Sequence, residues 1–108
     1  MAKVQEWNEQ EFAAAISQGT AVADFYAVWC GPCKMMMGVL EKAAAEFSDD
    51  EIKVGKINID SCRELAAKYN IRTIPTFMIF KNNEVKSVHI GVQGQQQLVR
   101  AIRNVLAE

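Results

Sequence analysis

A short, mostly apolar run, Ala21 to Ala27, passes through Val28-Trp29 into Cys30-Gly31-Pro32-Cys33 and then into residues repeating at helical spacing. An apolar run of this length reads as a strand buried on both faces, the pattern of a central strand in a sheet covered by helices. The helical pattern behind it comes from Met36, Val39, Leu40, Ala43, Ala44 and Phe47. Pro32 suits the first turn of that helix, where its missing N–H has no partner to lose. A strand running straight into a helix restricts the chain to an α/β layering.

The rest of the sequence repeats the alternation. Asn8 followed by Glu11 has the form of a capping box, with Trp7 and Phe12 as its hydrophobic staple. A helix from about Glu9 to Ser17 follows, closed by Gly19. Ile52 to Ile59 reads as a strand, and Asp60 or Ser61 is expected to cap a short helix carrying Leu65, Ala66 and Tyr69. Thr76 to Phe80 and Val85 to Ile90 flank Asn82-Asn83, a pair that tolerates positive φ and suits a tight hairpin. The last helix sets Leu98, Val99, Ile102, Val105 and Leu106 on one face, opposite Arg100 and Arg103. With Lys3 to Glu6 as an opening edge strand, the order is β-α-β-α-β-α-β-β-α. Strands separated by helices pair in parallel and the closing hairpin is antiparallel, so the sheet is mixed.

A chain of 108 residues is expected to form a single domain, residues 1–108. The net charge of -1 gives no basic face for nucleic acid. No stretch approaches the roughly 18 apolar residues of a membrane span, and the N-terminus has no signal-peptide pattern. The expected location is the cytoplasm, where thiols are kept mostly reduced. Three cysteines in that setting point to redox chemistry or metal binding rather than a structural disulfide framework.

Cys30 and Cys33 stand at the strand-to-helix junction. A thiolate is the attacking species in disulfide exchange, and a free thiol with pKa about 8.5 is largely protonated at neutral pH. The N-terminus of a helix favours the thiolate through unpaired N–H groups and the positive end of its dipole. The spacing sets the two sulfurs about one helical turn apart, within reach of a disulfide. Cys30, at the exposed helix start, is expected to attack, and Cys33, shielded in the first turn, to resolve the mixed disulfide. The competing reading makes Cys30 and Cys33 half of a zinc site completed by Cys62 and His89, but neither belongs to a second cysteine pair. The redox reading is favoured, with no metal and no cofactor.

The segment Asp24-Phe25-Tyr26-Ala27-Val28-Trp29-Cys30-Gly31-Pro32-Cys33-Lys34 resembles the active-site segment of the thioredoxin family. Lys56-Ile57-Asn58-Ile59-Asp60, Ile74-Pro75-Thr76 and Gly91 fall where that family has matching elements, so the resemblance covers nearly the whole chain. It implies the thioredoxin fold: an α/β architecture with a central five-stranded mixed sheet flanked by four helices. It also implies a thiol–disulfide oxidoreductase that reduces protein disulfides through Cys30 and Cys33 and is recycled by a thioredoxin reductase. The expected partners are disulfide-containing proteins, and the expected state is a monomer.

Asp24 is a carboxylate inside an apolar strand. Desolvation raises such a group's pKa and makes it a usable proton acceptor near neutrality. In the family the equivalent residue serves the buried cysteine, here Cys33, and the resemblance alone makes Lys56 the partner of Asp24. By resemblance too, Pro75 follows a cis peptide bond and faces the cysteines. Trp29, Gly31, Pro32, Thr73, Ile74, Pro75, Gly91 and Val92 would then form a low-relief surface for extended substrate segments. In Met35-Met36-Met37 helical spacing turns only some of the three in any one direction, and the run reads as core filler rather than a soft-metal site. Cys62 reads as a small residue at a helix start ahead of a regulatory thiol. Gly38 departs from the family, many of whose members carry a proline there that bends the helix. An oxidase or isomerase relative would tend to carry histidine between the cysteines, where this chain has Gly31-Pro32. A binding module with incidental cysteines is the alternative outside enzymology.

Overall fold

The alternation expected from the sequence is present in the computed structural model, which describes residues 1–108. In chain order the elements are β1 (Val4–Glu6), α1 (Glu9–Ile16), β2 (Thr20–Tyr26), α2 (Gly31–Ala44), β3 (Ile52–Asn58), α3 (Arg63–Lys68), β4 (Thr76–Lys81), β5 (Glu84–Ile90) and α4 (Gln95–Leu106). The five strands form one sheet in the order β1-β3-β2-β4-β5. β1 and β2 both pair in parallel with β3, whereas β4 runs antiparallel to β2 and to β5. The mixed sheet and its four helices match the expected fold class.

Strand alternation sorts the core into two layers, because successive side chains point to opposite faces. On one face Val22, Val54, Phe77 and Ile79 meet Met36 and Leu40 of α2 and Leu98 and Ile102 of α4. On the other, Ala21, Ala23, Phe25, Ile57, Met78 and Phe80 meet Phe12 and Ile16 of α1 and Leu65 of α3. Aromatic edges organise this second layer, with Phe12 and Tyr69 meeting Phe80 at centroid distances of 5.4 and 5.6 Å. The even-numbered residues of β2 face α2, and that parity aims Asp24 at the helix carrying Cys33.

Local signals act as read. Asn8 Oδ1 accepts from the Glu11 N–H at 2.8 Å while Glu11 accepts from the Asn8 N–H at 2.9 Å, closing the capping box. Trp7 and Phe12 share the second core layer. Asn82 and Asn83 turn the β4–β5 hairpin with φ of 48° and 74°, the paired positive values of a type I′ turn. α2 runs unbroken through Gly38.

The cap of α3 differs from expectation, while the methionine run divides as its helical spacing requires. The cap position of α3 is Cys62, without a side-chain cap bond, rather than Asp60 or Ser61. Asn58 Oδ1 takes the N–H groups of both Asp60 and Ser61, so the turn is satisfied from before it and the helix starts later. Of the three methionines only Met36 is fully buried, and Met35 is 66 % exposed. Consecutive helical residues point about 100° apart, so one core-facing stripe holds only one of the three. No helix is long and apolar enough to cross a membrane.

Candidate active site

Cys30 and Cys33 are joined by a disulfide across a Cα separation of 5.3 Å. Cys30 occupies the N-cap of α2 in extended conformation, with Pro32 in the first turn as the sequence requires. Its Sγ accepts from the Cys33 N–H at 3.1 Å, filling the role an aspartate or serine side chain takes at an ordinary helix start. A donor and the positive end of a helix are therefore already aimed at the sulfur on which a thiolate would form. The contrast in exposure expected between the two cysteines is small: Cys30 is 5 % exposed and Cys33 2 %. Both pack with Ala27, while Tyr26, Ile59 and Ile74 close around them. Their inequality lies in helix position, with Cys30 outside the first turn and Cys33 within it.

The segment before β4 supplies the opposite wall. The Ile74–Pro75 peptide is cis, as the resemblance implies. Cys30 Sγ lies 3.9 Å from the carbonyl oxygen of Ile74. The Pro75 carbonyl accepts from the Gly91 N–H at 2.8 Å, drawing the end of β5 to the same place. Gly91 has φ of +88°, a left-handed conformation that favours glycine. Val92 and Ile90 beside it are 57 % and 62 % exposed. Trp29 is 67 % exposed. Its indole N–H donates to Asp60 Oδ2 at 2.8 Å, which holds the ring beside Cys30. Gly31, Pro32 and Thr73 are exposed, Ile74 is half-buried and Pro75 buried. Of the expected surface residues, Ile74 is brought against Cys30, and Gly91 is tied to Pro75 beside it.

Asp24 is fully buried, and neither carboxylate oxygen has a hydrogen-bond partner in the protein. Burial pushes its pKa up to about 7, against the opposing pull of Lys56 and with a further push from Glu6. Lys56 neighbours Asp24 in the β2–β3 register. Its ammonium nevertheless pairs with Glu6 Oε1 at 3.7 Å and lies 5.2 Å from the centroid of the Tyr26 ring. Beside it a pocket of about 170 Å³ is lined by Tyr26, Ala27, Val28, Cys33, Lys34, Met37 and Lys56. Cys33 and Lys56 thus share this pocket, and Asp24, the strand partner of Lys56, is buried with its pKa near neutrality.

Cys62 and His89 do not join the pair. Cys62 is buried in the α1/α3 layer with its thiol pKa raised by burial and by Glu9 and Glu6. His89 lies on β5, where its Nε2 meets the Ser87 hydroxyl. No group of three or more potential ligands is gathered anywhere in the chain. Three residues of the site escape the sequence reading: Asp60, which holds Trp29, and Glu6 and Tyr26, which hold Lys56. Asp60 reads locally as a capping residue and Glu6 as an edge-strand residue. Only pairing between distant strands and loops gives them these neighbours.

A sequence model of the thioredoxin family matches residues 3–104. The chain is 39 % identical over 98 residues to thioredoxin from Bacillus subtilis, covering 91 % of this chain and 93 % of that one. It is 36 % identical over 99 residues to thioredoxin from Chlamydia trachomatis, covering 92 % and 95 %. Among solved structures it is similar to a mutant thioredoxin from Halobacterium salinarum, with TM-score 0.83, 31 % identity and coverage of 95 % and 88 %. Thioredoxin from Malassezia sympodialis superposes with TM-score 0.82, at 30 % identity and coverage of 98 % and 91 %. With sequence, fold and a paired Cys30–Cys33 in agreement, the chain belongs to the thioredoxin family and is a thiol–disulfide oxidoreductase.

Proposed function

We propose that this protein is a general reductant of protein disulfides, with Cys30 as nucleophile, Cys33 as resolving thiol and Asp24 as proton acceptor. The placement of Cys30 at the α2 N-cap, 3.9 Å from the Ile74 carbonyl, carries the reading. In the dithiol form the Cys30 thiolate attacks one sulfur of a substrate disulfide. That S–S bond breaks, the departing substrate sulfur takes up a proton, and a mixed disulfide joins Cys30 to the substrate. Cys33 then gives its proton to the Asp24 carboxylate and attacks the Cys30 sulfur. The second substrate thiolate leaves and is protonated in turn. Two electrons have passed to the substrate, and the Cys30–Cys33 disulfide is formed.

Trp29, Gly31, Pro32, Thr73, Ile74, Pro75, Gly91 and Val92 form the docking face. Its exposed apolar side chains and nearby backbone groups suit an extended segment with little demand on sequence. Residues 1–108 act as one domain and as a monomer, in the cytoplasm, carrying electrons from thioredoxin reductase to disulfide-containing proteins. Reduction of insulin by dithiothreitol is the direct test. Catalysis by the wild-type protein and background rates with Cys30→Ser are expected; equal rates for the two would overturn the reading. Equilibration with glutathione separates a reductant from an oxidant. A reductant stays largely in the disulfide form, an oxidant largely in the dithiol form.

A further inference from the structure

Lys56 stands between two carboxylates. In the parallel β1–β3–β2 ladder it is the register partner of Glu6 on one side and of Asp24 on the other. Residues paired in a parallel ladder point to the same face, so both acids compete for one ammonium group. The competition is resolved outward. Lys56 Nζ is 3.7 Å from Glu6 Oε1 and 5.2 Å from the Tyr26 ring centroid, and it makes no ion pair with Asp24. Glu6 is itself fixed, since both of its carboxylate oxygens lie 2.8 Å from the Tyr26 hydroxyl. The inner acid keeps two oxygens without a partner.

We propose that Glu6 is a positioning residue for the thiol chemistry: with Tyr26, it holds the Lys56 ammonium away from Asp24 and leaves the buried carboxyl without a counter-ion. The proposal rests on the reading of Asp24 as proton acceptor and extends it to the edge of the sheet. A carboxylate paired directly with lysine is a weak base, with little tendency to take a proton from a thiol. Moving the ammonium outward brings the carboxyl's proton affinity closer to that of its task. Other ionisable groups around Asp24 are few. Tyr26 lies on its own strand, α2 contributes Cys33 and Lys34 around the pocket beside Lys56, and the β4 partner Phe77 is uncharged.

The test is the titration of the Asp24 carboxyl carbon, followed by ¹³C NMR on the oxidised protein in wild type, Glu6→Gln, Lys56→Met and the double variant. Glutamine keeps an acceptor for the Tyr26 hydroxyl and removes the charge that holds Lys56. The Asp24 midpoint is expected to fall by about half a pH unit or more in Glu6→Gln and to rise in Lys56→Met. In the Lys56→Met background, Glu6→Gln should shift the midpoint by less than half as much, because no ammonium is left to release. An equal shift in both backgrounds would mean that Glu6 acts by its field alone. That result, or no shift in Glu6→Gln, overturns the proposal. The pH profile for resolution of a mixed disulfide on Cys30 separates the two layers. It should move with the Asp24 midpoint; if the midpoint moves and the profile does not, Glu6 still positions Lys56 but Asp24 is not the acceptor.

Discussion

The Trp29 indole N–H donates to the Asp60 carboxylate at 2.8 Å across 31 positions of sequence. The bond ties the junction between β2 and α2 to the loop after β3. An exposed ring beside the redox cysteine is thereby held in one orientation, although nothing packs over most of it.

Asp60→Ala is expected to release that ring. One exposed hydrogen bond contributes roughly 0.5–1.5 kcal/mol, so KM for insulin should rise by less than about tenfold with kcat little changed. Fluorescence anisotropy of Trp29, read in a Trp7→Phe background, should fall. Unchanged anisotropy would show that the bond does not hold the ring.

Asp24 makes stability depend on pH. Its folded pKa of about 7 lies above the ordinary value of 3.8, so the folded state binds the proton more tightly than the unfolded chain. Stability therefore declines as pH rises from about 4 through about 7, and the full cost is present above that range. Asp24→Asn removes the cost. At 1.36 kcal/mol per pKa unit the oxidised variant should gain up to about 4 kcal/mol at pH 8 and much less near pH 4. Urea unfolding at the two pH values measures the difference.

Gly38→Ala should stabilise the fold. The position is exposed within α2, and an added Cβ would meet nothing within 4 Å. The expected gain is about 1 kcal/mol from the lower conformational entropy of the unfolded chain and better helix propensity. Insulin reduction should be unchanged, and a loss of stability in urea would contradict this account.

Gly55→Ala should do the opposite. A Cβ there would collide with the Trp7 ring, which is buried against β3. Relieving the overlap requires moving β1 or the ring, at an expected cost of about 1–3 kcal/mol. Thermal unfolding should detect the loss, and a Trp7→Ala/Gly55→Ala double variant should show strong non-additivity.

The elements and their types were legible in the sequence because their signals are local. The Asn8–Glu11 box, the Asn82-Asn83 turn, the helical spacing behind Pro32 and the apolar β2 run each act within about a dozen residues. The cysteine pair is local too, since a helix turn brings positions 30 and 33 together. Asp24 stood out as a charge in an apolar strand. Relations between strands were not legible: neither the outward pairing of Lys56 with Glu6 nor the seating of Ile74 over Cys30 leaves a periodicity to read. What the sequence by itself determined was the redox pair and the α/β frame that presents it. What only the tertiary structure decided was the company those residues keep. Register across the sheet and closure of distant loops set the burial of Cys30, the solitude of Asp24 and the orientation of Trp29, and those contacts form only when the whole core packs.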